Sequence, residues 1–190
     1  MPATPAANRR PIALIALLLV ASLVGAACST PSSSAGEVPD LADVAGVEAP
    51  PQHGAMAPDF TVMTIDGAGF TLSEHLANDG RPVFLNMWAS WCPPCRDEMP
   101  DIDAASLSHE DVKFVGVAAS DDPADAAAFA ASIGIGYTIG FDEHGDVARS
   151  YDAVGLPASY IISADGVILE QIFGSVTEDE IDEILNKWLG

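Results

Sequence analysis

The chain has 190 residues, 49% of them hydrophobic, and carries 28 Asp and Glu against 7 Lys and Arg, a formal charge of −21. A surface of that sign repels phosphate backbones and anionic headgroups, which excludes nucleic-acid binding and peripheral electrostatic docking on a membrane. The length suits one domain with its own hydrophobic core, so the three cysteines, Cys28, Cys92 and Cys95, are not needed as structural staples.

Residues 1–27 have the layout of a signal peptide. Arg9 and Arg10 precede an apolar run from Ile12 to Val24, too short for a comfortable membrane span, and Gly25, Ala26 and Ala27 form a small-residue cleavage zone. The expected location is therefore extracytoplasmic. Cys28 resembles the lipid-modified cysteine of a bacterial lipoprotein, which would tether the protein to the cell membrane; an uncleaved N-terminal anchor or ordinary cleavage nearby are the alternatives. All 28 acids lie beyond residue 27, whereas two of the seven bases, Arg9 and Arg10, do not. The exported part thus has 28 acids against 5 bases, a formal −23. Solubility outside the cell is sufficient reason for that charge.

Residues 28–55 are rich in Ser, Pro, Ala and Gly, hold no sustained apolar period, and read as a flexible tether. The expected folded domain spans residues 56–190. Phe60, Val62 and Thr64 alternate before the Asp66-Gly67 turn and Phe70, which predicts a hairpin. Ser73, Glu74 and Leu76 suggest a short helix capped by Ser73. Residues 82–88 are almost wholly apolar, as expected for a central strand covered on both faces. Residues 112–119 predict a second buried strand, 123–133 a helix opened by Asp122, 137–141 an extended segment and 143–151 a short helix. Two strands, 158–162 and 166–173, join through the Asp165-Gly166 turn. A final amphipathic helix, 177–189, opens with the Thr177/Glu180 capping box and is expected to anchor Trp188 in the core. The pattern predicts an α/β fold, a mixed central sheet flanked by helices on both faces. Asp142, His144 and Asp146 alternate as in a cation loop, but Glu143-His144-Gly145 reads more simply as a turn.

Trp91-Cys92-Pro93-Pro94-Cys95 follows the first buried strand directly. A CxxC pair can be half a zinc site, yet the only other cysteine is Cys28 and the four histidines are scattered singly, so no metal is expected. The remaining chemistry is thiol-disulfide exchange, which needs no cofactor beyond the two sulfurs.

The segment Asn86-Met87-Trp88-Ala89-Ser90-Trp91-Cys92-Pro93-Pro94-Cys95-Arg96, with Glu98-Met99-Pro100 after it and Val154-Gly155-Leu156-Pro157 later, resembles the thioredoxin-like, membrane-anchored thiol-disulfide oxidoreductases of the TlpA/ResA type. The resemblance covers about residues 57–189. It implies a thioredoxin fold with an N-terminal β-hairpin and a central insertion, here near residues 121–140. It also implies exported cysteine-containing protein substrates, reduction of apocytochrome c being the best-known task, and a membrane or extracytoplasmic electron donor.

Roles follow residue by residue. Pro93 suits the first helical turn, which puts the Cys92 sulfur over unpaired backbone N–H groups that favour a thiolate. Cys92 is the expected nucleophile and Cys95, one turn further in, the resolving thiol. Glu98 lies three residues beyond Cys95 on the same helical face and is the nearby proton acceptor; the resemblance makes it the buried acid of the site, while Asn86 occupies the position where other thioredoxins carry an aspartate. Pro157 resembles the cis-proline that faces the dithiol, and the Leu156 backbone could pair with an extended substrate beside Cys92. Trp91 is the expected wall of that site and Trp88 part of the core.

The leading expectation is a protein-disulfide reductase, because Asp97, Glu98 and Asp101 oppose thiolate formation and so favour the oxidised pair. A disulfide-forming oxidase is the alternative. A thiol peroxidase would want a Pro-x-x-x-Thr/Ser-x-x-Cys pattern where this chain has Leu85 and Ala89. A copper chaperone would want His or Met grouped with the thiols, and only Met87 and Met99 are near.

Overall fold

In a computed structural model, residues 53–190 are described. The leader, Cys28 and most of the tether lie outside the described residues. Seven strands and five helices follow in the order β1 (Thr61–Thr64), β2 (Gly69–Thr71), α1 (Leu72–Asn78), β3 (Val83–Trp88), α2 (Pro93–Ser108), β4 (Lys113–Ala119), α3 (Pro123–Ile133), β5 (Thr138–Asp142), α4 (Asp146–Ser150), β6 (Ala158–Ile162), β7 (Ile168–Phe173) and α5 (Glu178–Leu189). Among the described residues no helix is long and apolar enough to cross a membrane.

The strands form one sheet in the order β2-β1-β5-β4-β3-β6-β7. β3, β4 and β5 run parallel, and β1, β2, β6 and β7 add antiparallel neighbours at the two sides. This is the mixed α/β sheet of a thioredoxin fold. The opening hairpin turns at Gly67, whose φ of 80° is left-handed, a region glycine enters without penalty. At the other side, Gly54 donates to the Ile168 carbonyl at 2.7 Å and Ala57 to that of Gly166 at 2.8 Å, laying residues 54–57 beside the start of β7.

β3 lies between β4 and β6, and all six of its residues are buried. Its side chains alternate between two packing layers. Val83, Leu85 and Met87 join Leu72 of α1, Val147 of α4, Tyr151 and Tyr160 on one face. Phe84 packs on the other with Phe114, Ile102 and Ala105 of α2, and Ile181 and Leu185 of α5; the Phe84 and Phe114 rings stack at 5.0 Å. Further along that face Trp88 meets Met99 of α2, and Ala126 and Ala130 of α3. Each large side chain so removed from water contributes about 1.5–3 kcal/mol, which is why a strand without a polar edge is stable only here.

Local signals explain most helix ends. The Asp122 carboxylate accepts from the N–H groups of Ala124 and Asp125 at the start of α3, and Gly134 ends that helix at φ 76°. Thr177 and Glu180 form the reciprocal capping box of α5. Three details depart from expectation. Ser73 does not cap α1; it sits inside the helix, and its hydroxyl donates to Asp59 Oδ2 at 2.7 Å. α4 starts at Asp146, because Asp142 accepts from the N–H groups of Asp146 at 2.8 Å and Ala148 at 3.0 Å, leaving Glu143–Gly145 as a turn. Trp188 is half-buried rather than a core anchor: its Nε1–H donates to Glu170 Oε2 at 2.9 Å and its ring lies 5.0 Å from that of His53. An indole N–H needs an acceptor, and the rim supplies one.

Candidate active site

β3 ends at Trp88, and three residues carry the chain to Cys92, the N-cap of α2. Pro93 and Pro94 open the helix where a missing N–H costs nothing. Cys92 and Cys95 are joined by a disulfide with Cα atoms 5.3 Å apart. The Cys95 N–H points at Cys92 Sγ, 3.4 Å away, so the helix start presents its positive end to that sulfur. Both cysteines are buried, in one apolar cluster with Trp88, Ala89, Met99 and Ala126.

Glu98, one turn beyond Cys95, is also buried, at 2% exposure. Its Oε1 accepts from Asn86 Nδ2 at 2.9 Å and its Oε2 from the Val176 N–H at 3.1 Å. Burial pushes its pKa up to about 7, against the downward pull of those two donors. The group therefore changes charge near neutral pH. Asn86, on β3, gives its other N–H to Ser159 Oγ at 3.0 Å, which ties α2, β3 and β6 together under the dithiol. Among the described residues, Asn86 Oδ1, Trp88 Nε1 and Tyr137 Oη are buried and find no hydrogen-bond partner. Burial, then the Glu98 and Asp103 carboxylates, raise the Tyr137 phenol well above its ordinary value.

The Leu156–Pro157 peptide is cis and Pro157 is buried at the head of β6. Leu156 is half-buried and packs on the cluster that contains both cysteines. Among the described residues, no backbone hydrogen bond engages its N–H or carbonyl. Trp91 stands 61% exposed beside the disulfide, its Nε1–H donating to the Ser120 carbonyl at 3.1 Å. Val154 and Phe173 are exposed as well. Of the residues singled out in the sequence, Cys92, Cys95, Glu98, Trp91, Leu156 and Pro157 come together here, while Cys28 lies outside the described residues.

Three contributors escaped the sequence reading. Ser159 is the one aliphatic hydroxyl in a buried strand whose other residues are Ala158, Tyr160, Ile161 and Ile162. Ser175 and Val176 precede α5; Ser175 Oγ donates to the Pro94 carbonyl at 3.3 Å, and Val176 reaches Glu98 through its backbone, which no side-chain pattern encodes. Beside the site, and apart from these three, Asp121 at the β4–α3 junction accepts from Ser90. No grouping of three or more His, Cys, Asp or Glu among the described residues is placed to hold a metal ion.

The family model described as AhpC/TSA matches residues 53–171. The thiol:disulfide interchange protein HelX of Rhodobacter capsulatus is 31% identical over 185 residues, 95% of this chain and 96% of that protein. The thiol-disulfide oxidoreductase ResA of Bacillus anthracis is 30% identical over 138 residues, 72% of this chain and 78% of the relative. Among solved structures, a putative thiol:disulfide interchange protein DsbE from Chlorobium tepidum superposes with a TM-score of 0.67 at 30% identity, covering 74% of this chain and 99% of that one.

Proposed function

The chain belongs to the AhpC/TSA family and is a protein-disulfide oxidoreductase, and from that premise we propose that it works outside the cytoplasmic membrane as a reductase of exported proteins. The leader at residues 1–27 supports export, and Cys28 supports a lipid tether to the membrane. Protein disulfides are the substrates, with apocytochrome c the candidate that the family resemblance brings. A membrane or extracytoplasmic donor returns the two electrons.

In the reduced enzyme the Cys92 thiolate attacks one sulfur of a substrate disulfide; that S–S bond breaks, a mixed disulfide forms, and the departing sulfur takes a proton from solvent. The Cys95 thiol then yields its proton to Glu98 and attacks Cys92 Sγ. This breaks the mixed disulfide, releases the second substrate thiolate and leaves Cys92–Cys95 oxidised. Trp91 and Leu156 flank the substrate chain, and the free Leu156 backbone pairs with it. The observation that carries this reading is the buried Glu98, one helical turn from Cys95 and poised near neutrality. Peroxidase chemistry fits less well, because the residue three positions before Cys92 is Ala89, which offers no hydroxyl to a peroxide.

Equilibrating the protein with glutathione tests the direction. A reductase stays largely oxidised against a buffer at about −200 mV, whereas a potential near about −120 mV, that of strong disulfide donors, overturns the reductase assignment in favour of an oxidase.

A further inference from the structure

We propose that Asp121 is a positioning residue that fixes Trp91 for substrate, an inference that rests on reading Trp91 as a wall of the substrate site. Asp121 is 6% exposed. Its Oδ2 accepts from the Ser90 N–H at 2.6 Å, and its Oδ1 from the Ser90 hydroxyl at 3.0 Å and the Asp122 N–H at 2.9 Å. A carboxylate taken out of water is tolerated where donors match its oxygens, and two of these three donors belong to the residue before Trp91.

The neighbouring residue completes the clamp. Ser120 adopts φ 52°, a left-handed conformation that non-glycine residues enter rarely and keep where surroundings enforce it. Its N–H donates to the Asp142 carbonyl at 2.8 Å and its own carbonyl accepts the Trp91 indole at 3.1 Å. A side chain at Gly145 would run into Ser120 Oγ, so that turn has room for Ser120 alone. Two consecutive residues on the β4–α3 junction thus bond two consecutive residues before the disulfide, Asp121 to Ser90 and Ser120 to Trp91. The result is an exposed aromatic ring whose orientation is set before substrate arrives, which lowers the ordering cost of docking.

Cys92 is also held from the other side, by α2: its carbonyl accepts from the Arg96 N–H at 3.2 Å and its sulfur faces the Cys95 N–H at the helix start, besides the bond from its N–H to the Ala89 carbonyl at 3.1 Å, which lies on the peptide that Asp121 holds. Releasing Asp121 therefore loosens the wall and leaves the nucleophile in place. The consequence is a split by substrate size: an extended protein disulfide needs the wall, and a small disulfide does not.

The test compares reduction of insulin disulfides with reduction of oxidised glutathione by the reduced full chain, for D121A, D121N, W91A and D121A/W91A. D121A is expected to slow the insulin reaction roughly tenfold, to leave the glutathione reaction unchanged, and to add nothing to W91A in the double variant. D121N keeps one acceptor oxygen but offers an amide to the Ser90 N–H, so it shows the same split at smaller size, and it carries the test if D121A does not fold. Equal slowing of both disulfides, or losses that add in the double variant, overturns the inference while leaving the Trp91 reading intact. An unaffected W91A overturns that reading and the inference with it.

Discussion

Asn86 Nδ2 donates to Glu98 Oε1 at 2.9 Å with both side chains buried, so the amide on the central strand and the acid on the dithiol helix form one unit. An amide cannot take the proton that Glu98 binds or releases. It can only bias Glu98 toward its charged form, in opposition to burial.

That opposition sets a pH dependence with a definite sign. Glu98 is raised from 4.5 to about 7 in the folded protein, so between those values the native state holds a proton that the unfolded chain has lost. Stability attributable to this group is complete below about 4.5 and falls as pH rises through about 7, by on the order of 3 kcal/mol. E98Q should flatten the slope. Urea titrations of the oxidised protein at pH 5 and pH 8 check this, and an unchanged difference in E98Q would remove Glu98 as its source.

Asn86→Asp would set a second carboxyl against the first. Two acids at hydrogen-bond distance share a proton and titrate as a pair, one of them displaced far upward. The variant should be tolerated in mild acid and lose several kcal/mol at alkaline pH, read as a thermal midpoint that drops steeply above neutrality where wild type changes gradually.

Removing the resolving thiol should arrest exchange at its midpoint. C95A, incubated with oxidised protein substrates, is expected to accumulate a mixed disulfide through Cys92 that reductant releases, while C92A accumulates little. Non-reducing gels and mass spectrometry distinguish them. Equal trapping by both variants would withdraw the nucleophile assignment.

Gly140 on β5 marks a close approach between neighbouring strands. A Cβ there would run into Val62 Cγ2, on a buried, β-branched side chain with little freedom to turn away. G140A should cost about 1–3 kcal/mol through overpacking, whereas G136A, whose nearest neighbour is Asp103 Oδ1 at 3.5 Å, should be nearly neutral. Denaturant midpoints of the two variants provide the comparison.

What the sequence announced was local in origin. The apolar run 82–88, the Asp122 start of α3, the Thr177/Glu180 box and the Asp66-Gly67 turn each encode their element within a few residues, and each element is present. The dithiol and Glu98 were readable for the same reason, being spaced along one helix. Sheet order was not: β5 lies between antiparallel β1 and parallel β4, a placement set by how strands distant in sequence bury their faces together. Trp188 was misplaced because helical spacing shows a face and not the polar partner at its edge. The clamp of Ser120 and Asp121 on Ser90 and Trp91 joins segments some thirty residues apart, brought level by the parallel register of β3 and β4.

The burial of all six β3 residues also bears on handling the protein's cargo. In the exchange proposed above a whole substrate polypeptide would hang from Cys92 by one covalent bond, and thermal tugging on that load would pass into the strand that leads to it. β3 is hydrogen-bonded on both sides by β4 and β6 and covered on both faces, so it is the part of the molecule that opens last. The Cys92 sulfur is thus mounted on the mechanical keel of the domain, and a partner captured there would be free to unfold, writhe or be exchanged without dragging its captor open.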